Sequence, residues 1–440
     1  MNPETFETLL EPLAEALPAS MAFTAYGTGE ESDFVRFNHA RVRQSGSVVQ
    51  GSLTLRVIDG RRHAAASFGL TGEVSIDRER MARAATELVE SIPFLPEDPH
   101  LLLPGTVHNT TQKDDTPAPD ALAVTQSICR AAEGTDFVGI YAGGRQWRAF
   151  ANSPGQRNWF EASSSLLDYS LVLSRDRAVK SSLAGPWSEP ALIASLDAAR
   201  AQLAALERPS RTIEPGKYRA YLAPAAVAEI LSLLSRGAFS GQSQQLKVSM
   251  LNRMVSKDTT LHPAINLIEN TASGVGPQFT TDGFVKPGQV DLIVNGSLGA
   301  ALVSPRSALE FGLTHNGSDS HECPTALTMT GGDLDEADAL ARLGTGVWVS
   351  NLWYLNHSDR NAARFTGMTR FATFWVEDGR LVAPLNVMRF DATLFDLLGA
   401  DLEALTAQTR HMPSASTYGS RETDSVTVPG ALVRSLPFTL

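Results

Sequence analysis

Two Asp-Gly pairs constrain the fold more than any other feature of the sequence. Asp59–Gly60 lies between the alternating runs GSLTLRVI and RRHAAASF, and Asp378–Gly379 lies between TRFATFWVE and RLVAPLNV. Asp-Gly is favoured in two-residue hairpin turns, because the central residues of such turns need a positive φ. We therefore expect an antiparallel β-hairpin early in the chain and another near its end.

The elements between these hairpins do not alternate regularly between strand and helix. The segments SIDRERMARAATELVESIP and SEPALIASLDAARAQLAALERP predict helices. Residues 136–177 predict four successive antiparallel strands, with turns at Gly143–Gly144, at Pro154–Gly155 and in the serine run 163–165. This order favours an α+β fold with mostly antiparallel sheets and flanking helices over a doubly wound parallel sheet.

The length of the chain predicts more than one core. With 440 residues, of which 43% are hydrophobic, the chain exceeds what one ordinary core accommodates. Pro209 follows a clear helix, and we place a boundary close to it. The expected units are an N-terminal α+β domain at 1–210 and a β-rich C-terminal domain at 211–440, either as two domains or as two intertwined halves.

Charge and composition argue against two classes of partner. The 37 basic and 48 acidic residues give a net charge of −11, whereas nucleic-acid binding draws on clustered Lys and Arg. The sequence contains no uninterrupted run of about 18 apolar residues, the length that a membrane-spanning helix needs. The acidic, amphipathic N-terminus predicts a helix and not a signal peptide, and two distant cysteines, Cys129 and Cys323, fit a reducing compartment. We expect a soluble, cytoplasmic protein.

The segment LAPAAVAEILSLLSRGAFSG, at residues 222–241, predicts a chemically quiet amphipathic helix. Pro224 suits the first turn, where its missing N–H costs nothing. Apolar residues follow at helical spacing. The predicted exposed face carries only Glu229, Ser232, Ser235 and Arg236.

Three segments, in this order, resemble the TldD/PmbA family of zinc peptidases, also described as modulators of DNA gyrase. They are the first hairpin with SIDRERMARAATELVESIPFLPEDP, then FTTDGFVKPGQVDLIVNGSLGAALVSPRSALEFGL, and then FATFWVEDGRLVAPLNVM. The resemblance implies that residues 211–440 correspond to the metallopeptidase domain. In the family a catalytic TldD-like member carries two histidines with a glutamate between them, on the helix that corresponds to residues 222–241 of this chain. A cysteine near the C-terminus completes its zinc site, and a TldE/PmbA-like sister is its partner.

This sequence departs from the zinc-binding pattern at both places. No histidine occurs between His108 and His262, and no cysteine follows Cys323. Ser232 and Arg236 occupy the i, i+4 positions where ligands would lie, and Arg cannot ligate zinc because it stays protonated. The resemblance is therefore closer to the TldE/PmbA-like sister.

That sister role implies a non-catalytic subunit, a pseudoenzyme that forms a heterodimer with a TldD-like zinc peptidase acting on unstructured peptides. Zinc is then expected in the partner, and no cofactor in this chain. A homodimer is an alternative when the chain is alone.

A second interpretation is a stand-alone peptidase or amide hydrolase that uses an atypical metal site or a hydroxyl nucleophile. The segment LTHNGSDSHECPT contains His315, His321 and Cys323, and the last two would share one face if the segment were extended. The simpler interpretation of the same segment is a surface loop.

Overall fold

The computed structural model describes residues 1–174, 176–235 and 237–439, which form two large sheets with flanking helices. Most strand pairs are antiparallel, so the predicted α+β class is confirmed. Within these residues no helix is both long enough and apolar enough to cross a membrane.

The first sheet is built from the N-terminal half of the chain. Its strands are β1 (Ala22–Asn38), β2 (Arg41–Asp59), β3 (Arg62–Gly69), β4 (Thr110–Lys113), β5 (Phe137–Asn152), β6 (Arg157–Ser174) and β7 (Arg177–Gly185). Its helices are α1 (Pro3–Leu10), α2 (Leu13–Ala16), α3 (Val74–Ser91), α4 (Ala121–Ala131) and α5 (Glu189–Leu206). The strand order is β3-β2-β1-β5-β6-β4, and β7 also pairs with β6. Asp59–Gly60 joins β2 to β3, as predicted.

The second sheet is built from the C-terminal half. Its strands are β8 (Gly216–Leu222), β9 (Leu267–Glu269), β10 (Val290–Val294), β11 (Ser297–Leu298), β12 (Ala326–Met329), β13 (Gly346–Asp359), β14 (Arg364–Glu377), β15 (Arg380–Pro384), β16 (Arg389–Thr393), β17 (Leu402–Pro413) and β18 (Ser425–Phe438). Its helices are α6 (Pro224–Leu234), α7 (Gly241–Gln245), α8 (Asn252–Val255), α9 (Pro305–Phe311) and α10 (Ala339–Leu343). Asp378–Gly379 joins β14 to β15 and confirms the second predicted hairpin.

The prediction of four strands over residues 136–177 is wrong at two of its three turns. β5 runs without interruption through Gly143–Gly144, and β6 runs through the serine run 163–165. Gly144 pairs with Ser164 on one side and with Ser32 of β1 on the other. Backbone pairing on both sides therefore overrides the local turn preference of Gly and Ser. The turn at Pro154–Gly155 is confirmed.

One buried apolar cluster joins the two halves of the chain. It contains Leu192 and Leu196 of α5, Leu167 of β6 and Phe374 of β14. The two sheets are built from residues on either side of residue 210, and their flanking elements share this cluster. The division into domains 1–210 and 211–440 stays a prediction.

Asp98 makes a polar link between the halves. Its Oδ2 lies 2.6 Å from Arg306 Nη1 and 3.2 Å from His63 Nε2, and its Oδ1 accepts the backbone N–H of His100. Burial opposes ionisation of this carboxyl group. The hydrogen bonds from Arg306, His100 and His63 outweigh that cost and lower its pKa to about 2.

We expect Asp98→Asn to lower the stability of the fold by about 1 kcal/mol at neutral pH, a value discounted for solvent screening. The folded pKa lies below the ordinary value of 3.8, so the contribution of the carboxylate is present above that value. It is lost as the pH falls towards 2. Urea unfolding midpoints at pH 7 and pH 3 measure this, with the exposed Asp115→Asn as control. An equal loss of stability at both pH values would contradict the assignment.

Candidate functional site

Helix α6 is held in place by its apolar residues. Pro224 occupies its first turn, and Val227, Ile230, Leu231 and Leu234 are buried, as the spacing predicted. The helix packs against β13 and β18 at the centre of the main core of the second half. Its formation is therefore explained by burial of apolar surface and needs no bound ligand.

The exposed face of α6 carries one of the two predicted degenerate zinc positions. Ser232 is exposed, and its Oγ donates a hydrogen bond to the carbonyl oxygen of Glu229 at 2.7 Å. The other predicted position, Arg236, lies outside the described residues. A serine hydroxyl bonded to its own helix backbone is a weak candidate for a metal ligand.

The segment that contains His315, His321 and Cys323 is not extended. The chain turns at residues 320–321, and Glu322 adopts a left-handed conformation with φ of 52°. The condition under which His321 and Cys323 would share one face, an extended segment, is therefore not met. His315 is exposed, and its ring packs edge-on against Phe284 with a centroid distance of 5.3 Å.

Glu322 is the buried acidic residue of this segment, and its carboxylate connects three parts of the chain. Oε2 accepts hydrogen bonds from Ser240 Oγ at 2.6 Å and from the N–H of Gln242 at 2.9 Å. Oε1 accepts the N–H of Ser304 at 2.7 Å. Burial opposes ionisation, but these hydrogen bonds outweigh it and lower the pKa of Glu322. Both carboxylate oxygens are thus occupied by protein donors.

Cys323 is a poor source of thiolate. Its Sγ donates a hydrogen bond to the carbonyl oxygen of His321 at 3.3 Å. Burial raises the pKa of the Cys323 thiol, and the carboxylates of Asp319, Asp424 and Glu322 raise it further. Metal ligation and nucleophilic attack both use the thiolate. Throughout the described part of the chain, no group of three or more His, Cys, Asp or Glu residues is arranged to hold a metal ion.

A cavity lies between the first sheet and the segment that joins β17 to β18. We call residues 414–424 the strap and this space the main cavity. The main cavity has a volume of about 350 Å³, within the range of small-ligand sites. One wall is formed by small and polar residues of β5 and β6, among them Ala142, Gln146 and the serine run, and the other by the strap.

Arg421 fixes the strap onto the first sheet. Its guanidinium donates to Ser32 Oγ at 3.2 Å, to the carbonyl oxygen of Ser164 at 3.0 Å and to Ser164 Oγ. Its carbonyl oxygen accepts a hydrogen bond from Gln146 Nε2 at 2.7 Å. Ser32 and Ser164 both pair with Gly144, so a row of three small residues on three adjacent strands receives the guanidinium.

A comparison of the sequence with protein families decides the family. The profile of the PmbA/TldA metallopeptidase C-terminal domain matches residues 215–439, just over half of the chain. The chain belongs to the TldD/PmbA family. The match includes α6, the segment with His321 and Cys323, and the strap.

Solved structures of very different sequence share the fold over the whole chain. TldE from Thermococcus kodakarensis has a TM-score of 0.78 at 13% identity, and the match covers 99% of this chain and 100% of that chain. A candidate modulator of a DNA gyrase from Thermotoga maritima has a TM-score of 0.75 at 13% identity and 99% coverage of both chains. A candidate modulator of DNA gyrase from Bacteroides thetaiotaomicron has a TM-score of 0.70 at 16% identity, with 99% of this chain and 98% of that chain covered. No curated protein matches the sequence.

Within this TldD/PmbA fold, sequence reasoning located α6 and the segment at 315–323 but missed the structural roles of Glu322 and Arg421. The hydrogen-bond partners of Glu322 lie about 80 residues and 18 residues before it in the sequence. Arg421 lies in a polar segment with no apolar periodicity. No local signal in the sequence marks either side chain as buried.

We expect Glu322→Gln to lower the stability of the fold by about 2 kcal/mol, because the amide nitrogen would face N–H or O–H donors. Urea unfolding at neutral pH measures the loss, and the exposed Glu310→Gln is the matched control. The pKa of Glu322 is lowered in the folded protein. The difference in stability between the wild type and Glu322→Gln should therefore shrink as the pH falls below the pKa of an ordinary carboxyl group. An unchanged midpoint in Glu322→Gln would refute this role for the carboxylate.

Proposed function

We propose that this chain is a non-catalytic, TldE/PmbA-like partner subunit of a TldD-type zinc metallopeptidase that degrades or processes unfolded peptides. The observation that carries the proposal is the absence from the sequence of the two features of the zinc site. No histidine lies between His108 and His262, and no cysteine follows Cys323. Without such ligands the chain lacks the means to lower the pKa of a metal-bound water for attack on a peptide bond.

The geometry near α6 supports this assignment. The carboxylate of Glu322 is hydrogen-bonded to groups at 240, 242 and 304, and Cys323 has a raised pKa. Ser232 bonds to the backbone of its own helix. The side chains around the family's zinc helix therefore serve packing and hydrogen bonding within the fold.

The proposed complex divides the work between two subunits. The TldD-like sister binds zinc and cleaves, and this chain supplies shape, assembly and a surface for the peptide. The complex is a cytoplasmic heterodimer with no nucleic-acid partner, and a homodimer is the alternative for the chain alone. The main cavity, with hydroxyl and amide groups in its wall, offers donors and acceptors suited to a peptide backbone.

The second candidate is a stand-alone hydrolase, and one observation favours it. The backbone of Gly237, just after α6, donates a hydrogen bond to Cys323, so a thiol lies beside the family's zinc-helix region. The raised pKa of that thiol argues against its use as ligand or nucleophile. The exposed His321 is separated from it by the turn at Glu322.

Metal content and peptidase activity test the proposal. We expect the purified chain to hold far less than one zinc ion per molecule and to leave an unstructured peptide uncut. Addition of a zinc-loaded, TldD-like sister should produce a complex on size exclusion and cleavage of the peptide that a chelator abolishes.

The contrary outcome is stoichiometric zinc and cleavage by the chain alone. If both were lost in His321→Ala and Cys323→Ala but kept in Cys129→Ala, the chain would be an enzyme in its own right. Cys129 is the matched control because it is the other cysteine of the chain and lies in the N-terminal half.

A further inference from the structure

A second hollow adjoins the main cavity on the far side of Arg421. We call it the notch. It has a volume of about 220 Å³ and is lined by strand residues of β1 and β2, by Arg148 and by residues 419–421 of the strap. Gln146 and Arg421 line both the notch and the main cavity. A thin layer of side chains, with Arg421 as its charged member, therefore separates the two hollows.

The strap has few interactions that would hold it closed. Its sequence, SASTYGSRETD, contains small and polar residues around one tyrosine, and the Tyr418 side chain is 99% exposed. Within the strap, whose residues are all described, Arg421 is the one buried residue. Segments with little buried apolar surface open at low cost in free energy.

The contacts that do hold the strap are hydrogen bonds to the first sheet. Gln50 Nε2 donates to the carbonyl oxygen of Gly419 at 2.8 Å, and Gln146 donates to that of Arg421. The Arg421 guanidinium contacts hydroxyl and carbonyl oxygens of Ser32 and Ser164. The backbone N–H of Arg421 also donates to the buried carboxylate of Glu30 at 3.4 Å. The described partners of the guanidinium itself are neutral, and water can replace them when the strap lifts.

We propose that the main cavity and the notch are two ends of one channel, that Arg421 closes this channel, and that displacement of the strap admits an extended peptide. The class of ligand rests on the proposed function, whereas the channel and its closure rest on the contacts above. Ser32, Gly144 and Ser164 pair side by side, and the guanidinium of Arg421 contacts the two serines, so its movement would uncover this row of small residues.

The test combines hydrogen exchange of the strap amides with the association rate of a peptide. The probe is a dye-labelled, unstructured peptide of Gly, Ser and Leu, followed by fluorescence anisotropy with the full chain. Arg421→Gln should speed exchange in residues 414–424 and raise the association rate about tenfold, because the closed state loses its charged hydrogen bonds. Gln50→Ala should raise the rate less, about twofold to fivefold, because it removes a single hydrogen bond to the strap, the one to the carbonyl oxygen of Gly419.

Arg410→Gln is the matched control. It removes an exposed arginine of the same hairpin, whose partner is Glu336, and leaves the contacts of the strap intact. It should keep the wild-type rate. If Arg421→Gln does not fold, Gln50→Ala is used in its place, since Gln50 is exposed. It is judged by the same criterion, namely faster exchange of the strap amides together with faster association of the peptide.

Two outcomes would overturn the channel. One is faster strap exchange in Arg421→Gln with an unchanged association rate, and the other is no binding of the peptide by any of the variants. Association with the zinc-bearing sister is measured separately by size exclusion. If that association fails, the partner role is refuted. Faster association of the peptide with Arg421→Gln would still support the channel in that case.

Discussion

The row formed by Ser32, Gly144 and Ser164 is the constraint on which the arrangement of the two halves depends. These residues lie side by side on β1, β5 and β6, and a Cβ at Gly144 would fall 2.1 Å from the carbonyl oxygen of Glu31. A side chain at Gly144 would therefore clash with the backbone of β1. The glycine thus allows three long strands to pair without interruption at this point, and the hydroxyl groups of the two serines receive the guanidinium of Arg421.

The same residues show what the sequence could and could not predict. Asp59–Gly60 and Asp378–Gly379 were predicted as hairpins because the two strands and the turn lie within about 20 residues of each other. Gly143–Gly144 was predicted as a turn on the same kind of local argument, and that prediction failed. The strand continues there because its partners lie more than 100 residues before it on one side and about 20 residues after it on the other. Local patterns carry no information about such register.

The site shows the same limit. The position and the buried face of α6 follow from its periodicity, and the lack of histidine on it is read directly from the sequence. The burial of Arg421 does not follow, because its partners Ser32 and Ser164 are 389 and 257 residues away. The sequence therefore predicted the helix and its lack of histidine ligands, whereas the cavity and its closure became visible only in the tertiary structure.

Glu322 and Arg421 are buried charges of opposite sign, and each is held by hydrogen bonds, yet they differ in how firmly they are held. Glu322 accepts N–H groups at the start of α7 and α9, within the packed core of the second half. Arg421 lies in a strap whose other residues are exposed or half-buried. Stability is therefore concentrated beside α6, and the freedom to open is concentrated at the strap. In the proposed subunit, the part that corresponds to the zinc helix keeps the shape of the fold, and the strap controls the entry of the peptide.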